Sequence, residues 1–253
     1  EHQLIDALLH RGCLVGALAQ NFNTLLQRLD RALTQLQQFT ADASHELRTP
    51  MASIQEGTHL LLDEIPGPLT QEQRTTLRIM ADSSRRLIHL ISTILDLSKM
   101  EAGMMEYRIV PVDLKRVASI SINKVRLLAD SKHIQLVFES LGERVWVKAD
   151  APRVEQVLDN LLSNALKFGP EGSIVKLQMK PDRDAGVLEI AVSDSGPGIA
   201  AEKRADALKR GQRLDETKPG SGLGLSIVKE TAAMYNGTIA LDQAEIGGLR
   251  VVL

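Results

Sequence analysis

A single cysteine, Cys13, occurs in the 253 residues of the sequence. That excludes an intramolecular disulfide framework and a cysteine-rich zinc site, and it fits a reducing compartment. Aromatic residues make up only 3% of the chain. The core must therefore be built from Leu, Ile, Val, Met and Ala, and an aromatic platform for single-stranded nucleic acid is disfavoured. Long apolar runs are missing as well. The richest stretch, Cys13–Ala19, falls far short of the roughly 18 residues that span a bilayer. Charge of one sign is also lacking: a formal net charge of -2 supplies no field to draw the chain onto nucleic acid or anionic lipid. What remains is 43% hydrophobic and 25% charged, the balance of a soluble globular protein and too apolar for a disordered one. The chain opens on Glu1 rather than methionine and reads as an excised fragment.

Two unlike halves follow. From residue 22 a seam runs through Phe22, Leu26, Leu29, Leu33, Leu36, Thr40, Ala43 and Leu47, then Met51, Ile54, Thr58 and Leu61. Steps of four and three alternate, as in helices packed side by side. The alternation breaks once, between Leu47 and Met51, where Pro50 predicts a bend. Asp63–Thr70, with two prolines and a glycine, reads as the loop of a helical hairpin. A second seam carries Leu77, Met80, Ser84, Leu87, Ile91, Ile94 and Ser98, reinforced by Ile88 and Leu95, and stops near Gly103. One hairpin cannot bury so continuous a stripe, so the expectation is a four-helix bundle made by two chains. The plainer alternative is a monomeric hairpin packed on the second half.

After Tyr107 the pattern changes. Asp113 caps a helix to about Ser131, and Ile134–Phe138 and Val145–Val147 read as short strands. Asp150–Phe168 is a helix; Ile174–Met179 and Val187–Val192 alternate as paired strands around a turn at Pro181–Gly186. Ser195–Pro219 is polar and aperiodic. A helix over Leu223–Tyr235 and strands near Thr238–Leu241 and Leu249–Leu253 complete the chain. The fold class expected is α+β: a long helical hairpin followed by an α/β sandwich with its helices on one face of a mixed sheet. The divisions are a linker over 1–21, the hairpin over 22–106 and the sandwich over 107–253.

Three clusters in the second half converge on nucleotide chemistry. On a helical wheel Asn160, Asn164 and Lys167 lie within roughly 60° of one another, while Val154, Leu158, Leu161 and Ala165 turn about 120° away toward the core. The polar stripe offers amide oxygens for a magnesium ion shared with phosphates and a point charge for the phosphates themselves. Taken singly, it is equally a solvated helix face. Asp194 shares strand parity with Leu188, Ile190 and Val192 and should point inward, where a carboxylate needs donors such as the exocyclic amine of a base. Gly196, Pro197 and Gly198 beside it leave room for a flat ring; Asp-Ser-Gly is also a common turn. Gly220, Gly222, Leu223 and Gly224 open the last helix, a backbone amide site for phosphate, although neither a dinucleotide fingerprint nor a Walker A motif is present.

Together, and in this order, DNLLSNALKF (Asp159–Phe168), DSGPG (Asp194–Gly198) and GSGLGL (Gly220–Leu225) resemble the N, G1 and G2 boxes of sensor histidine kinases and of the wider ATPase superfamily that includes gyrase and Hsp90. FTADASHELRTP (Phe39–Pro50) resembles the H box of the same kinases, in its His-Glu-x-x-Thr form. The resemblance implies ATP and Mg²⁺ as ligands, with Asn164 on the metal, Asn160 and Lys167 toward the phosphates and Asp194 on adenine. It implies His45 as phosphoryl acceptor, Glu46 holding the Nδ1 proton, and Thr49 positioning water when a partner is dephosphorylated. The heptad count independently leaves His45 exposed, where an ordinary imidazole is mostly neutral at pH 7.

In the stretch expected to form an ATP lid, ALKRGQRLD (Ala207–Asp215), Leu208 and Gly211 stand where the family's two phenylalanines usually are, while Arg210 and Arg213 remain. Loss of those anchors predicts a more mobile lid. The implied partners are a second copy of the chain and the receiver domain of a response regulator, with no nucleic acid and with a membrane reached only through a sensor region. The implied location is the cytoplasmic portion of an inner-membrane sensor. Two alternatives are a gyrase/Hsp90-type ATPase clamp, against which Asn160 stands where those enzymes carry a catalytic Glu, and a catalytically inactive dimeric scaffold. The remaining histidines (His2, His10, His59, His89, His133) and Arg74, Arg78, Arg85 and Arg86 read as surface, Met100, Met104 and Met105 as hinge packing, and Trp146 as strand packing.

Overall fold

A computed structural model describes Glu46 and residues 49–253, apart from 141–144, 183, 185, 216 and 219. The linker over 1–21, the seam from Phe22 to Leu47, the acceptor His45 and the step expected to bend before Pro50 lie outside the described residues. The chain divides into two compact units, one ending at Met104 and one spanning Met105–Leu253.

In the first unit, residues 49–62 are helical (α1) and a turn leads to α2, Gln71–Glu101. Thr70 starts α2 with a capping box: its side chain accepts from the Gln73 amide at 3.2 Å while the Gln73 side chain accepts from the Thr70 amide at 2.9 Å. Arg74 reaches back to the carboxylate of Glu64 and to the Leu62 carbonyl, so it ties down the loop instead of forming a solvated face. Arg85, one of the same group, pairs with Asp82 at 2.5 Å.

The two heptad columns of α2 fare differently. Leu77 and Ser84 are buried and Ile91 and Ser98 half-buried, one column seven residues apart. Met80, Leu87 and Ile94, the other column, stay 46%, 46% and 42% exposed. Ile54 and Leu61 on α1 repeat that spacing and are 47% and 39% exposed, whereas Thr58 between them is buried. Ala81, Thr93, Leu97 and Met100 are also buried, off the seam read from the sequence.

The second unit is an α/β sandwich. Its elements are β1 (Val110–Asp113), α3 (Leu114–Ser131), β2 (Gln135–Ser140), β3 (Trp146–Ala149), α4 (Ala151–Phe168), β4 (Ile174–Asp182), β5 (Val187–Asp194), a 3-10 turn (Ala201–Lys203), α5 (Arg204–Ala207), α6 (Gly224–Met234), β6 (Ala240–Gln243) and β7 (Leu249–Val252). Five strands order as β2-β4-β5-β7-β6, with β2 parallel to β4 and the other pairs antiparallel. Along β4, Val175, Leu177 and Met179 are buried against the helices, while Lys176 and Lys180 on the opposite face meet Glu139 and Glu189. One apolar face and one solvated face explain why α3, α4 and α6 all cover the same side.

A separate ribbon pairs β1 with β3 antiparallel. The sequence reading did not find β1, because Pro111 breaks a short run; at the edge of a two-stranded ribbon its missing donor costs little. Trp146 is corrected too. Val147 and Ala149 turn inward, so Trp146 turns out and is 58% exposed.

Asp150 joins three segments of this unit. It caps α4 by accepting from the Arg153 amide at 3.3 Å, and its second oxygen accepts from the Arg108 amide at 2.8 Å. Its own amide donates to the Tyr235 hydroxyl, at the end of α6, at 2.7 Å. Tyr235→Phe leaves that amide without an acceptor and should lower stability by about 1–2 kcal/mol. Urea unfolding of the full chain measures this, and an unchanged midpoint would show the bond to be dispensable.

Candidate nucleotide site

The residues expected to hold the nucleotide meet between α4, the end of β5 and the start of α6. Val154, Leu158, Leu161 and Ala165 are buried as the wheel demands, and Asn160, Asn164 and Lys167 are half-buried on the neighbouring stripe. Gly224, the first residue of α6, lies against this stripe. A β-carbon there would come 3.4 Å from Asn160 Oδ1 and 3.6 Å from Asn164 Nδ2. No side chain caps α6, so its first amides point from a helix N-terminus into the same space. Asn160 Nδ2 is buried and has no hydrogen-bond partner among the described residues. An orphaned donor beside free helix amides suits an anion with several oxygens.

Lys167 completes the anionic pocket. Its Nζ sits 4.5 Å from the ring centre of Phe168, and a β-carbon at Gly220 would fall 2.6 Å from that Nζ. A side chain there would displace the Lys167 ammonium. Burial pushes the Lys167 pKa below its ordinary 10.5, and the nearby charges of Arg213 and Lys218 push it further, against an opposing pull from Asp215. A cluster of positive charge of this kind is a fitting seat for a polyphosphate. Arg213 is thus the lid arginine whose charge bears on Lys167; Arg210 stands exposed on the same segment.

Both lid positions that lack the family's phenylalanine make contacts of their own. Leu208 packs on the hydrophobic core and Ala207 is buried. At the other missing phenylalanine, the Gly211 amide donates to the Gly222 carbonyl at 3.1 Å. Gly222 adopts φ +71°, and a β-carbon on it would strike the Gly211 carbonyl carbon at 2.7 Å. Backbone contact replaces one aromatic anchor. Arg213 donates to the Lys218 carbonyl at 2.9 Å within the lid.

Asp194 ends β5 and is 7% exposed. Its Oδ1 accepts from the amides of Gly196 at 2.8 Å and Leu249 at 3.3 Å, and Oδ2 has no partner among the described residues. Gly248 approaches so closely that a β-carbon would lie 2.3 Å from Asp194 Oδ1. Gly198, at φ +68°, comes against the Gly248 carbonyl. The sequence reading missed Gly248, Leu249, Asp215 and Lys218; only the Gly247–Gly248 pair before a strand hinted at a close backbone approach. Burial raises the Asp194 pKa above 3.8, with the two amides acting against it.

Of the first-half residues, Glu46 and Thr49 are helical and exposed. Glu155, off the polar stripe, pairs with Lys124 at 2.5 Å and is not part of the site.

Comparison with known proteins agrees in both halves. Residues 35–103 match the His Kinase A (phospho-acceptor) domain, and residues 149–253 match the histidine kinase-, DNA gyrase B- and HSP90-like ATPase domain. The chain belongs to the sensor histidine kinases. It is 36% identical over 211 residues to the circadian input-output histidine kinase CikA of Synechococcus elongatus, covering 81% of this chain and 28% of that protein. It is 34% identical over 246 residues to the non-motile and phage-resistance protein of Caulobacter vibrioides, covering 94% of this chain and 29% of that protein. The kinase therefore spans less than a third of the length of either relative. Among solved structures, full-length ShkA in complex with AMPPNP superposes with a TM-score of 0.73 at 28% identity, covering 84% of this chain and 44% of that one. The match to an ATPase domain and the likeness to an AMPPNP-bound kinase support ATP binding by this kinase.

An Asp194 that accepts from a base amine must be ionised. Asp194→Asn places an amide against that amine and should weaken ATP binding by about 10- to 100-fold, the range of about 1.5–3 kcal/mol for a bond to a charged group. Because the folded pKa lies above 3.8, wild-type affinity should fall as pH drops through that raised value, while protonation itself favours the fold. Calorimetric titration of wild type and variant with AMPPNP across acidic pH checks both; equal affinities would remove Asp194 from the site.

Proposed function

We propose that this chain transfers the γ-phosphoryl group of ATP to His45 and passes it to an aspartate on the receiver domain of a response regulator. The observation that carries the nucleotide half is the closure of Asn160, Asn164 and Lys167 against the uncapped start of α6, with Asp194 buried at the base position. The H-box resemblance carries the acceptor half. ATP supplies the phosphoryl group. Lys167 and Arg213 neutralise charge on the phosphates, Asn160 donates to them, and the Gly220–Gly224 backbone admits them without side-chain crowding. Among the described residues no group of three or more His, Cys, Asp or Glu could hold a metal alone. Asn164 would hold a magnesium ion, which would supply positive charge to the phosphates.

At His45, Nε2 attacks the γ-phosphorus in line, the bond to the bridging oxygen breaks, and ADP leaves. Glu46 holds the Nδ1 proton. Thr49 orients water in the reverse sense, when the regulator loses its phosphoryl group. The same reading makes this region the cytoplasmic portion of a membrane sensor; among the described residues no helix is long and apolar enough to cross a membrane.

The working unit in this reading is a homodimer. A hairpin that buries one heptad column and leaves Met80, Leu87 and Ile94 exposed beside Ile54 and Leu61 has a second apolar seam for an identical hairpin.

Two measurements test these claims. His45→Gln should still bind AMPPNP but incorporate no acid-labile label from γ-labelled ATP, and retained labelling would move the acceptor elsewhere. Leu87→Glu places a charge in the outer seam and should shift the chain toward monomer in sedimentation velocity, with nucleotide affinity unchanged. An intact dimer would mean that another surface holds the copies together.

A further inference from the structure

The second unit has a cavity apart from the nucleotide site. It lies under α3 at the β2 edge of the sheet, holds about 290 Å³, and is lined by α3, β2, β4 and α4. Ile122, Leu162, Val175 and Leu177 form its floor, each no more than 8% exposed. Ser119, Asn123 and Arg126 follow one another along α3 at its mouth, one helical face at spacings of four and three. Arg126 and Asn123 are exposed, and neither side chain has a hydrogen bond or ion pair among the described residues. A dry floor, a polar rim and one uncommitted guanidinium describe a small-molecule site of the lower size class.

We propose that this cavity binds a small free amphipathic acid, its apolar body on the Ile122–Leu162–Val175–Leu177 floor and its carboxylate on Arg126, and that occupancy is felt at the nucleotide site. A planar guanidinium with free donors selects a carboxylate over a neutral head group. Coupling follows from α4. Leu162 lies between Asn160 and Asn164 in sequence and roughly opposite them on the wheel, so one helix is the shared wall of both sites. A ligand that shifts Leu162 changes the register of the two asparagines, and coupling between the sites must then be reciprocal. The coupling rests on the nucleotide reading above, whereas the binding does not, and the experiment separates the two.

Octanoate is a suitable probe, with 1-octanol as its neutral counterpart, both as monomers in solution and both added to the full chain with labelled Ile, Leu and Val methyl groups. Octanoate should shift the methyl signals of Ile122, Leu136, Leu162 and Val175 in a saturable way. Arg126→Gln, an exposed substitution that leaves the core untouched, should weaken octanoate about tenfold and leave octanol unaffected. Saturating octanoate should change the dissociation constant for AMPPNP measured on the same sample. Absence of saturable shifts, shifts centred on other methyl groups, or equal octanoate affinity in Arg126→Gln overturns the site as a mere gap in packing. Binding at the cavity with an unchanged AMPPNP constant overturns the coupling. Loss of AMPPNP binding altogether in wild type would instead overturn the nucleotide reading, and the methyl shifts would still decide the cavity.

Discussion

Helix α4 must satisfy opposite demands around one cylinder. Leu158, Leu162 and Leu166 are at most 1% exposed, so the helix is locked into the core along most of its length. The adjacent stripe cannot be apolar, because it faces a space where α6 begins with unsatisfied amides. Burial on one side is what gives the polar side its precision: two amides and an ammonium are carried by a scaffold whose seat is set by core packing. Gly224 then fixes how near α6 can come, and Asp150 with Tyr235 holds the far ends of the same two helices together. The nucleotide site is a by-product of how α4 packs.

The hairpin shows a complementary constraint. Two helices can bury only one seam between them, yet the sequence repeats apolar residues in two columns. The second column is exposed in a single chain, and isolated exposed apolar residues would be ordinary. Five of them in heptad register on two antiparallel segments are not. Hydrophobic surface in that pattern favours association, because a self-complementary apolar patch is removed from water on both copies at once.

Much of this was legible from residue order because the physics is local. The helix cap at Asp113, the wheel of α4 and the inward parity of Asp194 depend on neighbours within a turn or a strand. The parallel pairing of β2 with β4, the isolated ribbon of β1 with β3 and the donation of Leu249 to Asp194 join residues far apart in sequence. Periodicity carries no record of such pairings. Trp146 illustrates the difference: a strand was correctly expected, but which face the ring took depended on which side the helices covered.

The lid argues the same point in reverse. Family pattern led to an expectation of missing anchors, since aromatic rings are the usual means of pinning a polar loop to a core. This chain meets the requirement by other means. Leu208 still reaches the core, and the lost ring at Gly211 is offset by a backbone bond to Gly222, both glycines being in left-handed conformations. A ring anchors a loop through apolar area and tolerates sliding. A backbone hydrogen bond fixes both position and direction, and a side chain on Gly222 would strike the Gly211 carbonyl carbon. The lid is therefore held both by the core, through Leu208, and by the glycine-rich segment before α6, through Gly222. That short segment carries both the bond to Gly211 and the close approach of Gly224 to Asn160 and Asn164.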